Sequence, residues 1–279
     1  MPFNLPGVLV PFHILINPRI ILPSIAVADI RQLDFTALKR AGYRGAVFDK
    51  DNCLTIPHDD ALVPELREAW QECQQTFGPG NVLIVSNSAG TRDDPGLLQA
   101  ESVTHHLRAP VLRHKSLKPS YSCVRGVRSY FASLPSPVQP HDLVVIGDRI
   151  FTDVVLARRL APRPWPWTQG QLLGKGETTE EKTELVDDRR ESGPLAIWTT
   201  GVWKHEATLM RWAEKKLVAA AESWIQGAEG ERRVIESRFV KPVTEAKVEP
   251  GTRSKMWYGR ISTAAGWVGK QLRTVVRRE

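Results

Sequence analysis

The chain is poor in cysteine. Cys53, Cys73 and Cys123 are its only three, with no C-x-x-C pair and no histidine at zinc-ligand spacing. A disulfide-built fold and a thiolate metal site are both excluded, and so sparse and odd a set reads as reduced thiols inside a cell or organelle. No apolar run reaches the ~18–20 residues of a spanning helix, which excludes an integral helical membrane protein. The main body also lacks net charge. The last 29 residues, 251–279, hold Arg253, Lys255, Arg260, Lys270, Arg273, Arg277 and Arg278 against Glu279 alone, and so carry +6 of the chain's +7. A nearly neutral body argues against a nucleic-acid partner. The N-terminus shows neither a basic start followed by an apolar core nor an Arg- and Ser-rich stretch.

What is present suits a folded enzyme-sized domain. A hydrophobic fraction of 42% in 279 residues supplies a sizeable core, and 25% charged residues exclude wholesale disorder. Residues 1–33 are apolar and punctuated by Pro2, Pro6, Pro11, Pro18 and Pro23. Proline at that density breaks helices, so this stretch reads as an extended arm, either packed over the core or docked on a membrane.

From Asp34 short apolar strands alternate with helices. Asp34 can cap a short helix that Gly42 stops. Strands are expected at 45–48, 82–85, 111–112, 143–146 and 195–199, and helices at 64–77, 96–107, 121–131 and 152–160. Such alternation predicts an α/β fold, a Rossmann-like parallel sheet with helices on both faces. Within a domain spanning 34–204, residues 170–192 carry seven acidic side chains and few apolar ones, and read as a solvated, mobile insertion. The extension 205–279 opens with a helix over 205–226 that aligns Met210, Ala213, Leu217, Ala220 and Trp224, a packing or subunit face that makes a homo-oligomer an expectation.

The chemistry gathers at strand ends. Asp49 and Asp51 follow the strand 45–48, where ligands bind in open parallel sheets. Two residues apart, they point the same way, so one can attack phosphorus while the other handles the leaving-group proton. An acidic pair also fits an ordinary turn. Three later features favour chemistry: Ser86-Asn87-Ser88 after the second strand, Lys115 and Lys118 before a helix, and Asp148 and Asp153 after the strand 143–146. Ser86 also fits a helix N-cap. Lys115 and Lys118 compete for one role. His105, His106 and His114 lack a matched carboxylate spacing and read as structural or substrate-proximal. Cys53 reads as a small packing residue.

In this order the motifs resemble those of the haloacid-dehalogenase-like phosphohydrolases. More closely, Phe48-Asp49-Lys50-Asp51-Asn52-Cys53-Leu54, Ser86-Asn87-Ser88-Ala89-Gly90 and Gly147-Asp148-Arg149-Ile150-Phe151-Thr152-Asp153 are similar to the mitochondrial phosphatidylglycerophosphate phosphatases of fungi. The resemblance covers roughly 34–160. Cys53 departs from the Thr or Val usual in the wider superfamily.

The resemblance implies roles. Asp49 is the expected nucleophile, Asp51 the acid and base, Ser86 a donor to phosphoryl oxygens and Lys118 the neutralising cation. Lys118-Pro119 fits the family pattern, which leaves Lys115, like Asn87, as a substrate contact. Mg²⁺ is the implied cofactor, held by Asp49, the Asp51 carbonyl and Asp148, with Asp153 orienting the lysine or a metal-bound water. The gaps after Asp51 and Ser88 are too short for a cap domain. An open site suits a phospholipid at an anionic membrane surface, and the implied setting is peripheral, on the matrix side of the mitochondrial inner membrane. The alternatives are a capless protein or nucleotide phosphatase, and a phospho-accepting scaffold domain without turnover.

In the tail, Trp257, Ile261, Ala264, Val268, Leu272 and Val275 recur at helical steps among the basic residues. Gly259, Gly266 and Gly269 weaken such a helix in water. Anionic lipid would stabilise it by burying the stripe and attracting the charges. The competing reading is a basic terminal helix packed on the core or on a neighbouring subunit.

Overall fold

The computed structural model describes residues 17–161, 193–201, 203, 208–225 and 228–241. Residues 1–16, the insertion 170–192 and the tail 251–279 lie outside these. The strands are β1 (Ile25–Val27), β2 (Gly45–Phe48), β3 (Val82–Ile84), β4 (Leu143–Gly147) and β5 (Leu195–Thr199). They form one parallel sheet in the order β1-β5-β4-β2-β3. The helices are α1 (Phe35–Arg40), α2 (Arg67–Phe77), α3 (Leu98–Leu107), α4 (Tyr121–Ala132), α5 (Val155–Leu160), α6 (Thr208–Trp224) and α7 (Ala228–Phe239).

Every residue of β2, β3, β4 and β5 is buried, as expected for a sheet covered on both faces. Alternate residues feed two cores. Ala46, Phe48, Ile84, Val144, Ile146 and Ile197 enter one, with Phe35, Trp70 and Phe77. Val47, Leu83, Val145, Ala196 and Trp198 enter the other, with Phe131, Val155 and Leu160. Phe48 and Trp70 meet edge to face at 5.1 Å, an arrangement worth about 1 kcal/mol beyond burial. The chain runs from β2 outward to β3, then crosses back to β4 on the other side of β2. Ligands bind at such a reversal, outside the carboxyl ends of the strands.

Several elements differ from the expectation. Ile25–Val27, inside the expected arm, is a strand paired with β5, so that segment adds to the sheet as well as covering it. The expected strand at 111–112 is a single bridge, Ile84 to Val111. The helix expected from residue 96 starts at Leu98, because Gly96 (φ 65°) and Leu97 (φ 60°) adopt left-handed backbone. Residues 64–66 form a 3₁₀ turn before α2, and Ile150–Val154 form a π-helical turn before α5. The stretch from 208 to 241 makes two helices, and the inward face of α6 is not the expected stripe: Glu214, Val218 and Ala221 are buried while Met210 and Trp224 are exposed. The inner face carries charges that find polar partners in the fold, which an apolar periodicity cannot register. α6 and α7 pack against the body, with Val218 and Ala221 in one core and Phe239 in the other.

Residues 49–81 and 85–142 form loops, short helices and turns, and no domain is inserted in either described stretch.

Candidate active site

Asp49 leaves β2 with its N–H donating to Ile146 O (2.9 Å), which places it between β2 and β4. Asp148 leaves β4 directly beside it. Gly147 is needed between them, because a Cβ there would lie 2.3 Å from Asp153 Cγ. Asp49, Asp148 and Asp153 each offer an oxygen within 4.8 Å of the others, and all three are buried. Lys118 Nζ, 2% exposed, sits 2.7 Å from Asp49 Oδ1 and 2.7 Å from Asp153 Oδ1. Lys118 is thus held between Asp49 and Asp153. Lys115 is exposed.

Burial pushes the Asp49 carboxyl well up; Lys118 opposes this, while Asp153, Asp148 and Asp51 add to it. Burial and Asp153 raise Asp148, against Arg211 and Arg149. Burial would lower the Lys118 ammonium, but Asp153 and Asp49 turn the balance and raise it. A set of hard carboxylate oxygens this close fits a divalent cation such as Mg²⁺, which prefers oxygen ligands. Asp49 and Asp148 would hold it, and it would screen those carboxylates from a phosphate.

Asp51 has a separate set of partners. Its Oδ2 accepts from Ser88 Oγ (2.7 Å), and its Oδ1 accepts from His58 N (3.1 Å) and lies 2.9 Å from Lys50 Nζ. Burial alone would raise this carboxyl, yet Lys50, Ser88 and His58 together hold it below the usual range. These partners favour the carboxylate form of Asp51. Lys50 is fully buried, and it also donates to Asp59 O (2.8 Å).

Ser86 is buried, and its Oγ accepts from Ser88 N (3.0 Å) and Ala89 N (3.3 Å) in a turn; no helix begins here, so Ser86 is not a helix N-cap. Its hydroxyl lies 2.9 Å from Ser88 Oγ. Because the Ser88 proton goes to Asp51, the Ser86 proton is left for Ser88, which links Ser86 to Asp51 through one hydroxyl. Asn87 Oδ1 accepts from Lys118 N (2.7 Å), so this amide fixes the lysine's backbone. His114 is buried with Nδ1 2.8 Å from Ser116 O and Nε2 2.9 Å from Ser86 O, tying the two loops together. Burial holds its pKa below the usual value despite both carbonyls, and Lys118 adds to the effect. His105 and His106 stack edge-on at 5.4 Å on exposed α3 positions. Burial, with Asp49, Asp148 and Asp153 behind it, pushes the Cys53 thiol far up and keeps it protonated.

Sequence reasoning missed Lys50, Ser88 as an Asp51 ligand, Arg211 and Glu214. The run D-K-D signals Lys50 only if one sees that alternation turns it inward. Arg211 Nη2 donates to Asp148 Oδ2 from 63 residues away, and no motif marks it.

The chain is similar to known proteins over the segment that carries this site. The chain matches the family described as mitochondrial PGP phosphatase over residues 5–163. It is 33% identical over 154 residues to the phosphatidylglycerophosphatase GEP4, mitochondrial, of Saccharomyces cerevisiae, covering 55% of this chain and 81% of that protein. It is 35% identical over 158 residues to phosphatidylglycerophosphate phosphatase 1, chloroplastic/mitochondrial, of Arabidopsis thaliana, covering 56% of this chain and 43% of that one. A probable phosphatidylglycerophosphatase, mitochondrial, of Schizosaccharomyces pombe is 29% identical over 194 residues, 66% of this chain and 90% of its own. No solved structure matches. With the match spanning more than half of the chain, and with the acidic strand ends and their lysine inside it, the chain belongs to the mitochondrial PGP phosphatase family.

Proposed function

We propose that this enzyme removes the terminal phosphate of phosphatidylglycerophosphate to give phosphatidylglycerol, a step toward cardiolipin, through an aspartyl-phosphate on Asp49. The observation that carries the reading is the convergence of Asp49, Asp148 and Asp153 around Lys118 at the reversal between β2 and β3 on one side and β4 on the other. Asp49 attacks phosphorus, the Asp49–phosphorus bond forms, and the ester bond to the glycerol oxygen breaks. Asp51 delivers a proton to that oxygen. It takes this proton from solvent as the anionic phosphate arrives beside it, because a neighbouring negative charge favours the neutral acid. In the second half, Asp51 takes a proton from water, the water oxygen bonds to phosphorus, and Asp49 is released. Lys118 offsets the charge on the transferring group, and Ser86 would donate to its oxygens. When bound, Mg²⁺ supplies Lewis-acid stabilisation of the phosphoryl oxygens.

The stretches with no inserted domain, 49–81 and 85–142, support an open site that can meet a lipid phosphate at a surface. Among the described residues no helix is long and apolar enough to cross a membrane. We infer peripheral attachment to an anionic bilayer, on the matrix face of the mitochondrial inner membrane. The exposed Met210, Trp212 and Trp224 of α6 offer a surface for self-association. Phosphate release from phosphatidylglycerophosphate vesicles, with and without Mg²⁺, tests the proposal. Faster release from phosphopeptides or nucleotides would instead favour a capless protein or nucleotide phosphatase, and a single turnover would favour a phospho-accepting domain.

A further inference from the structure

Asp148 carries a second cation besides those of the motif segment. Arg211 Nη2 donates to Asp148 Oδ2, and Arg211 Nη1 lies 3.5 Å from the Asp148 carbonyl, which also accepts from Trp198 Nε1 at 3.1 Å. Arg149 Nε approaches the same Oδ2 at 3.8 Å. The Arg211 side chain is 12% exposed and the Asp148 side chain 3%. This contact is built rather than incidental. One turn along α6, Glu214 is buried and accepts from Phe151 N (3.3 Å), and Val218 and Ala221 of the same helix lie in the core with Trp198 and Ile150. The helix is therefore fixed to both ends of the loop that follows β4. Arg211 also lies beyond residue 163, where the family match ends.

A cation that binds Asp148 must share or take a carboxylate already engaged by a guanidinium. We propose that Arg211 is a positioning residue that holds Asp148 in the cation-free enzyme and competes with the divalent cation for it, so that α6 sets the cation affinity of the phosphatase centre. This rests on Asp49 and Asp148 being cation ligands, as proposed above. The physical reason is charge. Asp148 is buried within reach of Asp49 and Asp153, and without a cation it needs a positive neighbour; once a cation is bound, that neighbour is a like charge at short range.

The test is titration of the full chain with Mn²⁺ followed by electron paramagnetic resonance, and with Mg²⁺ by calorimetry. Arg211→Gln should bind Mn²⁺ at least about tenfold more tightly than wild type, because a unit charge removed at short range from a buried site counts for more than it would in water. Its thermal midpoint should fall in EDTA and return toward the wild-type value at saturating Mn²⁺, because the ion then supplies the missing positive charge. Arg211→Lys keeps the charge but cannot span the carboxylate and the carbonyl together, so it should show a smaller shift in the same direction; it also serves if the glutamine variant fails to fold. Unchanged or weaker Mn²⁺ binding in the folded variants would overturn the proposal, since a residue that merely orients Asp148 weakens binding when lost. If wild type binds neither cation, the cation reading of the site falls and this inference with it. If wild type binds and the variants do not differ from it, the inference alone falls.

Discussion

Lys118 Nζ lies 2.7 Å from Asp49 Oδ1, and the same nitrogen holds Asp153 at 2.7 Å, so one buried ammonium spans the end of β2 and the acidic loop after β4. Lys118→Ala should lower kcat/KM by about 10²–10³, the scale seen when one charge-stabilising donor is lost. Lys115→Ala, on an exposed side chain, should stay within a few-fold of wild type. Equal losses in a steady-state assay would show that the wrong lysine has been placed at the phosphoryl group.

Asp49→Asn should abolish turnover, because an amide is a poor nucleophile. Asp51→Asn should be nearly as severe and should accumulate phosphoenzyme from radiolabelled substrate, since water activation fails in the second half. Retention of activity within about tenfold of wild type, 1.4 kcal/mol of barrier, in either variant would refute the assignment.

Lys50→Ala removes the buried cation beside Asp51 and should lower stability, though by less than breaking a fully buried pair, because Asp51 keeps Ser88, His58 and partial contact with solvent. It should also move the acid limb of the kcat profile to higher pH. Burial pushes the Asp51 carboxyl up and Lys50 is the largest force holding it down, so without the lysine the carboxylate form requires a higher pH. An unmoved limb would mean that Asp51 is not the group titrating there.

Glu214 is buried, and burial raises its pKa to about 7, although the Phe151 N–H and Arg149 favour the anion. The folded chain then binds a proton more tightly than the unfolded one, so stability is greater below pH 4.5 and is lost as pH rises toward 7. Glu214→Gln keeps an acceptor for Phe151 and cannot ionise. It should be more stable than wild type at pH 8, by at most roughly 3 kcal/mol, with the gap vanishing near pH 4.5. Denaturant melts at both pH values read this directly; a gap of the same size at each would reject it.

Removing 251–279 should spare hydrolysis of a soluble phosphomonoester and sharply reduce binding to anionic vesicles, and wild-type binding should weaken as salt rises. Deleting most of 170–192 should leave soluble-substrate activity intact. Undiminished co-sedimentation of the truncated protein would move the anchor to the N-terminal segment.

Sequence alone determined the layered α/β fold and the acidic strand ends, because both rest on local physics. Four- and five-residue apolar runs have few uses other than buried parallel strands, and a carboxylate directly after one has to sit at the sheet's edge. Asp34 shows the same legibility: its Oδ1 caps α1 at Ala37 N (2.7 Å), as a helix start with an acidic residue before it suggests. Ile25–Val27 was not legible, because three residues just after Pro23 carry too little periodicity, and only pairing with β5 makes them a strand. Tertiary structure also decided that Ser88 rather than Ser86 bonds Asp51, and that Lys118 rather than Lys115 meets Asp49. Adjacent residues in a loop differ only in direction, and direction is fixed by what packs behind them. Arg211 is the furthest case. Its partner lies 63 residues back, on another element, and the two meet only because Val218 and Ala221 bury one face of α6 in the core.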